Sequence, residues 1–263
     1  MPNILETEEM ARKVLPIIYV IDTSGSMSGE KIASVNEAMH ETIEVLKEVS
    51  DKNPDAQVKI AALSFSSDAE WVTNKNGLED MEDFFWNDIQ AGGVTDLGAA
   101  LDELDEKLSR NAFLVSDTGF CIPVIIFMSD GAPTDDWERS LTKIKDGNKW
   151  YKNATKIAIA VGEDADKDVL AKVVGNIEAV ITVTDVELLK KLIKVASVTS
   201  SMVNSKSRTT ADDNAAKEII ETAVRELGKD AQDIQIGLDD DDDDDSIDDD
   251  GDNDDDGWDD SDW

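Results

Sequence analysis

The 263-residue chain has one cysteine, one histidine and five prolines, few aromatics, and far fewer bases than acids. Each shortage removes a class of function. Cys121 has no partner for an internal disulfide, and its place in the apolar run CIPVIIFM reads as a small buried thiol. His40 stands alone in a helical stretch beside the inward-facing Met39, so no Ser-His-Asp triad can be built. No apolar run approaches the ~20 residues of a membrane-spanning helix. The opening residues MPNILETEEMARK are polar and acidic, without an apolar leader segment, and a cytoplasmic protein is expected.

Basic charge is the scarcest resource of all. Lys and Arg total 25 against 60 Asp and Glu, a formal net charge of −35. Seventeen of those acids are the Asp residues of positions 239–263, which contain no Lys, Arg or Glu. Residues 1–238 still carry 43 acids against 25 bases. A surface of this sign repels nucleic-acid phosphate and anionic lipid, so neither nucleic acid nor membrane is expected as a partner. Cations and basic proteins are the natural counterparts.

What the chain does have is apolar runs alternating with amphipathic stretches. Val14–Ile21 (VLPIIYVI) is too continuous for a half-exposed strand and reads as a buried parallel one. In Gly29–Val49 the residues Ile32, Val35, Met39, Ile43, Leu46 and Val49 recur every three or four positions, which predicts one face of a helix. Strands follow at Val58–Phe65 and, short and hairpinned to it, Glu70–Thr73. Then come a helix over Thr95–Leu108, a strand over Cys121–Met128 and a helix over Asp135–Ile144. The alternation continues with strand Lys156–Val161, helix Lys167–Val174, strand Ala179–Val183 and helix Asp185–Val203. This pattern predicts an α/β fold: a doubly wound, mostly parallel, Rossmann-like central sheet, helices on both faces, and one short antiparallel strand. Residues 1–13 read as an extension, 14–203 as the domain, 204–238 as a linker and helix, and 239–263 as a disordered Asp-rich tail.

In such a sheet ligands bind at the carboxyl ends of the strands. Three segments fall there. Asp22-Thr23-Ser24-Gly25-Ser26 (DTSGS) leaves the first strand with oxygens at alternate positions. Ala91–Asp96 (AGGVTD) puts a hydroxyl, Thr95, where a glycine-loosened loop enters a helix. Ser129-Asp130-Gly131 (SDG) ends a buried strand with a carboxylate. The enzyme readings of DTSGS each lack a part. An aspartyl-phosphate enzyme wants a second carboxylate two residues after Asp22, where Ser24 stands. A Walker-type loop needs GK[ST] before its helix, and this one ends in GEK. The metal reading gains parts instead: Asp22, Ser24, Ser26, Thr95 and Asp130 are hard oxygen donors suited to Mg²⁺ or Mn²⁺.

Together the DTSGS, GGVTD and SDG segments resemble the metal-ion-dependent adhesion site of von Willebrand factor type A domains. The resemblance implies that Ser24, Ser26 and Thr95 bind the ion directly. Asp22 and Asp130 then act directly or through water. It also implies a non-enzymatic role: the ion keeps a position open for an Asp or Glu of a partner protein. The phrases LPIIYVIDTSGSMSGEKIASVNEAM, SDGAPTDDWE and IAIAVGEDADKDVL further resemble the TerY-like branch, associated with tellurite resistance and related stress responses. That likeness implies an adaptor whose partners include kinase-like, phosphatase-like or Ter-family proteins. Asp135 and Glu138 have the spacing of a helix N-cap and its N3 partner rather than of ligands.

The tail carries three readings. It is a solvated, solubilising segment; or a weak calcium sink, since Asp252, Asp254 and Asp256 in DNDDDG match the opening of an EF-hand loop whose glutamate is missing; or a tethered ligand that binds this protein's own metal. Trp258 and Trp263 give it a docking point that a solubiliser does not need. Two functions compete with the interaction module: a calcium buffer or sensor built on the tail, and a metal-dependent phosphohydrolase.

Overall fold

A computed structural model describes residues 12–74, 76–205, 213–228 and 234–236. The whole Asp-rich tail, with Asp252, Asp254 and Asp256, lies outside them, as do the first eleven residues and most of the linker.

The first apolar run forms β1 (Lys13–Asp22), buried at every position but the first. It can be apolar throughout because it has parallel neighbours on both sides, β2 (Ala56–Phe65) and β5 (Val124–Ser129). β6 (Thr155–Val161) and β7 (Val180–Val183) extend the parallel sheet beyond β5. Three short strands close its flanks antiparallel: β3 (Ala69–Trp71) and β4 (Glu79–Asp80) on β2, and β8 (Ile234–Ile236) on β7. β3 is the hairpinned strand that the sequence foresees. β4 and β8, at two and three residues, are too short to show alternation.

Prolines set two boundaries. The strand expected from Cys121 starts at Val124, just after Pro123, which has no N–H to give a central ladder. Pro16 does lie inside β1, but Val14, two residues earlier, points its N–H at Gly119 on the β5 side. Pro16 faces the same way, and regular pairing with β5 begins only at Ile17.

The helices are α1 (Glu30–Lys52), α2 (Leu97–Lys107), α3 (Trp137–Gly147), α4 (Lys149–Asn153), α5 (Lys167–Val174), α6 (Val186–Ser205) and α7 (Asp213–Leu227). Ile32, Val35, Met39, Ile43 and Leu46 of α1 are buried, as are Leu97, Ala100, Leu101 and Leu104 of α2. The strand order is β3-β2-β1-β5-β6-β7-β8. From β1 the chain crosses to β2 on one side, whereas β5, β6 and β7 advance on the other. Right-handed crossovers therefore place α1 on one face and α3 and α5 on the opposite one. α6 returns to the α1 face, where Tyr19 Oη of β1 and Ser197 Oγ of α6 are hydrogen-bonded at 2.8 Å. The direction of winding reverses between β1 and β5, which opens a crevice above their carboxyl ends. His40 is exposed on α1, its Nε2 2.9 Å from Asp88 Oδ1, and Cys121 is buried. No helix among the described residues is long and apolar enough to cross a membrane.

Candidate metal centre

Asp22 is the last residue of β1 and Ser129 the last of β5, each one step beyond the paired Ile21 and Met128. The sheet therefore sets them side by side. Ser129 Oγ donates to Asp22 Oδ2 at 2.6 Å, and the Ser24 N–H donates to Asp22 Oδ1 at 2.7 Å. Asp22 is fully buried. That burial pushes its carboxyl above the ordinary range, against the hydrogen bonds from Ser129 and Ser24, and the charge of Asp130 adds to the push.

A three-residue 3₁₀ turn, Gly25–Met27, carries the chain away from Asp22 before α1 begins. It aims Ser24 Oγ at Ser26 Oγ, 2.9 Å away, and Ser26 Oγ donates to Asp130 Oδ1 at 2.6 Å. The other oxygen of Asp130 accepts from Lys31 Nζ. A continuous polar run thus joins Ser129, Asp22, Ser24, Ser26, Asp130 and Lys31. Thr95 stands next to it. A Cβ placed on Gly131 would lie 3.5 Å from both Ser26 Oγ and Thr95 Oγ1, so the hydroxyls of two separate loops meet beside this residue. All five residues expected at the site are brought to one crest of the sheet.

Backbone bonds tie the loops together. Gly25 N–H donates to Gly93 O, Gly92 N–H to Thr23 O, Asp96 N–H to Ser66 O, and Thr134 N–H to Thr95 O. Gly93 has φ +85° and a Cβ there would sit 2.5 Å from Ser67 Oγ, whereas one on Gly92 would meet nothing within 4 Å. Of the pair in GGVTD, only the second is needed by the geometry.

The expected cap pair differs. Asp136, not Asp135, takes the N-cap position of α3, without a side-chain bond. Asp135 instead reaches across to α2, where its Oδ2 accepts from the Gly98 N–H at 2.7 Å. Asp96, the N-cap residue of α2, makes no capping bond of its own, so the cap comes from another loop. Burial raises the Asp135 carboxyl, opposed by the Gly98 bond, and its Oδ1 is buried without a hydrogen-bond partner among the described residues. Trp137 is buried and so not offered to a partner.

Sequence reasoning missed Ser129, Lys31 and Asp135 as site residues. Strand register alone could have found Ser129, since two parallel strands ending together must place their last residues side by side. Among the described residues no three His, Cys, Asp or Glu side chains converge as a metal cluster. The side chains gathered at the crest are instead two carboxylates and three hydroxyls, all oxygen, a set that would suit a small hard dication rather than a thiophilic one. Removing one support should be measurable without metal. Ser129→Ala leaves Asp22 Oδ2 without its donor, and urea unfolding of the metal-free protein should show a loss of about 1–3 kcal/mol.

The chain matches the model of the von Willebrand factor type A domain over residues 17–195. No curated protein sequence matches it. Among solved structures, proximal thread matrix protein 1 from the mussel byssus is similar at a TM-score of 0.52 and 19% identity, over 70% of this chain and 47% of that one. A von Willebrand factor type A protein from Catenulispora acidiphila gives 0.51 and 18%, over 71% and 42%. The ArnB paralog VWA2 from Sulfolobus acidocaldarius gives 0.50 and 22%, over 70% and 45%. The chain spans less than half the length of each of these structures, and at such identities the likeness is one of fold. The family match covers most of the chain, and within it β1, the α2 entry and β5 bring their oxygen side chains to one crevice; the chain belongs to the von Willebrand factor type A domain family.

Proposed function

We propose that this protein is a metal-dependent protein-interaction module in which Asp22, Ser24, Ser26, Thr95 and Asp130 hold one Mg²⁺ or Mn²⁺. The observation that carries this reading is the hydrogen-bonded run from Asp22 through Ser24 and Ser26 to Asp130, with Thr95 alongside, at the sheet's switch point. Two carboxylates only balance a dication, and neutral hydroxyls are weak donors. The ion would supply a Lewis acid that grips a carboxylate of a partner. The chain's own contribution is to keep the place open. Ser26 is exposed, and Val94, next to Thr95, is 48% exposed and offers an apolar contact beside the ion's position. The one histidine, His40, is paired with Asp88 on the exposed face of α1 and does not reach the site as a base, so grip rather than turnover is the activity the residues support.

The narrower setting, a TerY-like adaptor in tellurite-resistance and stress responses with kinase-like, phosphatase-like or Ter-family partners, is supported by the quoted sequence phrases. The test is calorimetric titration of Mg²⁺, Mn²⁺ and Ca²⁺ into the full chain, Asp22→Ala, and a truncation ending at Leu238. One Mg²⁺ or Mn²⁺ site should be found and should vanish in Asp22→Ala. The truncation should keep that site within about threefold at 0.15 M salt, because none of its five proposed ligands belongs to the tail and charge beyond about 8 Å is largely screened. Binding that disappears with the tail and ignores Asp22 would replace this reading with the calcium-tail one. Turnover of a phosphate ester that Asp22→Ala abolishes would replace it with the hydrolase.

A further inference from the structure

We infer that Lys31 is a tethered cation that holds Asp130 in the metal-free protein and competes with the ion for that carboxylate, setting how much metal the site requires. This deepens the metal reading above and rests on it.

The Asp130 side chain is 0% exposed, and a buried carboxylate needs a counter-charge or several donors. It has one of each: the Ser26 hydroxyl on Oδ1 and the Lys31 ammonium on Oδ2. The ammonium comes from the second residue of α1, at the end of four methylenes, and the side chain is 34% exposed. Its charge therefore reaches the site from the solvent edge rather than from the core. A dication bound among Asp22, Ser26 and Asp130 would face this ammonium across a single carboxylate. The two positive charges then repel, and one of Asp130's oxygens must be shared or given up.

The surroundings let Lys31 leave. A cavity of about 320 Å³ adjoins it, lined among others by Ser28, Glu30, Gly162, Thr184 and Asp185. Glu30 and Asp185 supply alternative negative charge there. Gly162, at φ +99°, places no side chain in the way: a Cβ would lie 3.4 Å from Lys31 Nζ. A lysine stem can swing between the two positions without moving the backbone, which a stiffer, branched cation could not do as readily.

The consequence is a toll on metal affinity equal to the strength of the Lys31–Asp130 pair, since the metal-ready state is only the fraction with the ammonium displaced. A charge-assisted hydrogen bond of this kind, discounted for the partly exposed ammonium, corresponds to about tenfold in affinity. A lysine that merely braced Asp130 would have the opposite effect, because its removal would loosen a ligand and weaken metal binding. The sign of the change separates the two roles.

The experiment uses the full chain as wild type, Lys31→Met, Lys31→Gln, Lys31→Arg and Asp22→Ala, titrated with Mg²⁺ and Mn²⁺ by calorimetry and melted in EDTA. Lys31→Met and Lys31→Gln should bind metal about tenfold more tightly, while their metal-free melting temperature falls by about 5 °C. Lys31→Gln keeps a donor for Asp130 and guards against loss of folding in Lys31→Met. Lys31→Arg keeps the charge and should bind no more tightly than wild type. Unchanged or weaker metal binding in both neutral variants, beside a wild type that binds, overturns the inference and leaves the metal site standing. A wild type as silent as Asp22→Ala overturns the metal reading and this inference together.

Discussion

Asp22→Asn is expected to abolish Mg²⁺ and Mn²⁺ binding, by more than about 100-fold, while leaving the metal-free protein as stable as wild type or more so. The two halves of this result have separate causes. In the proposed site the ion would lose a carboxylate from its donor set, which should cost more than the 10–100-fold typical of groups that only support a ligand. The fold loses a charge that it does not favour. Asp22 is fully buried, its carboxyl is raised by that burial, and Asp130 adds like-charge repulsion. Asparagine has the same shape. Its amide oxygen can take the Ser24 N–H, and the Ser129 hydroxyl can turn to accept from the new NH₂. Calorimetry and thermal melting in EDTA read the two halves. A melting temperature several degrees below wild type would mean that the Asp22 charge supports the fold and is not held for an ion.

The same residue shows what sequence can and cannot disclose. Asp22 was legible because it ends a continuous apolar run, and such runs are buried central strands whose last residue emerges at the sheet's rim. Ser24 and Ser26 follow it within one loop, so their grouping is local. Thr95 and Asp130 needed the further step that parallel strands share a rim, and the α/β alternation supplied that. Lys31 and Asp135 were not legible. Each acts through a side chain crossing between elements, Lys31 from α1 to the end of β5 and Asp135 from the β5–α3 loop to α2. Spacing along one element says nothing about such reach. The sequence pattern instead makes Asp135 a cap for its own helix, because Asp135 and Glu138 satisfy the local rule. The local pattern was present, and a tertiary demand, the uncapped start of α2, took the carboxylate. β4 and β8 escaped for a different reason: with two and three residues, their place is fixed by the neighbour they pair with.

That borrowed cap leads to the other large expected effect. Gly98→Ala should destabilise the protein by about 1–3 kcal/mol and weaken metal binding about tenfold, although alanine is the better helix former. On an isolated helix the exchange would gain about 1 kcal/mol. Here a Cβ on Gly98 would lie 2.5 Å from Asp135 Oδ2 and 3.1 Å from the Trp137 backbone. The carboxylate must retreat, so α2 loses the acceptor for its Gly98 N–H, and a missing cap alone costs about 1 kcal/mol. The retreating oxygen belongs to a residue whose Oδ1 is already buried without a partner among the described residues, and α3 must shift to clear Trp137. These costs together exceed the helix-propensity gain. The damage passes to the metal centre because Thr134, next to Asp135, holds Thr95 through its N–H at 2.8 Å. Gly92→Ala is the matched control, with nothing within 4 Å of the new methyl, and should stay within about 0.5 kcal/mol of wild type. Urea unfolding and Mn²⁺ titration of both variants decide the matter. If Gly98→Ala proves as stable as Gly92→Ala and binds metal equally well, the Asp135 contact does not hold Thr95 in place.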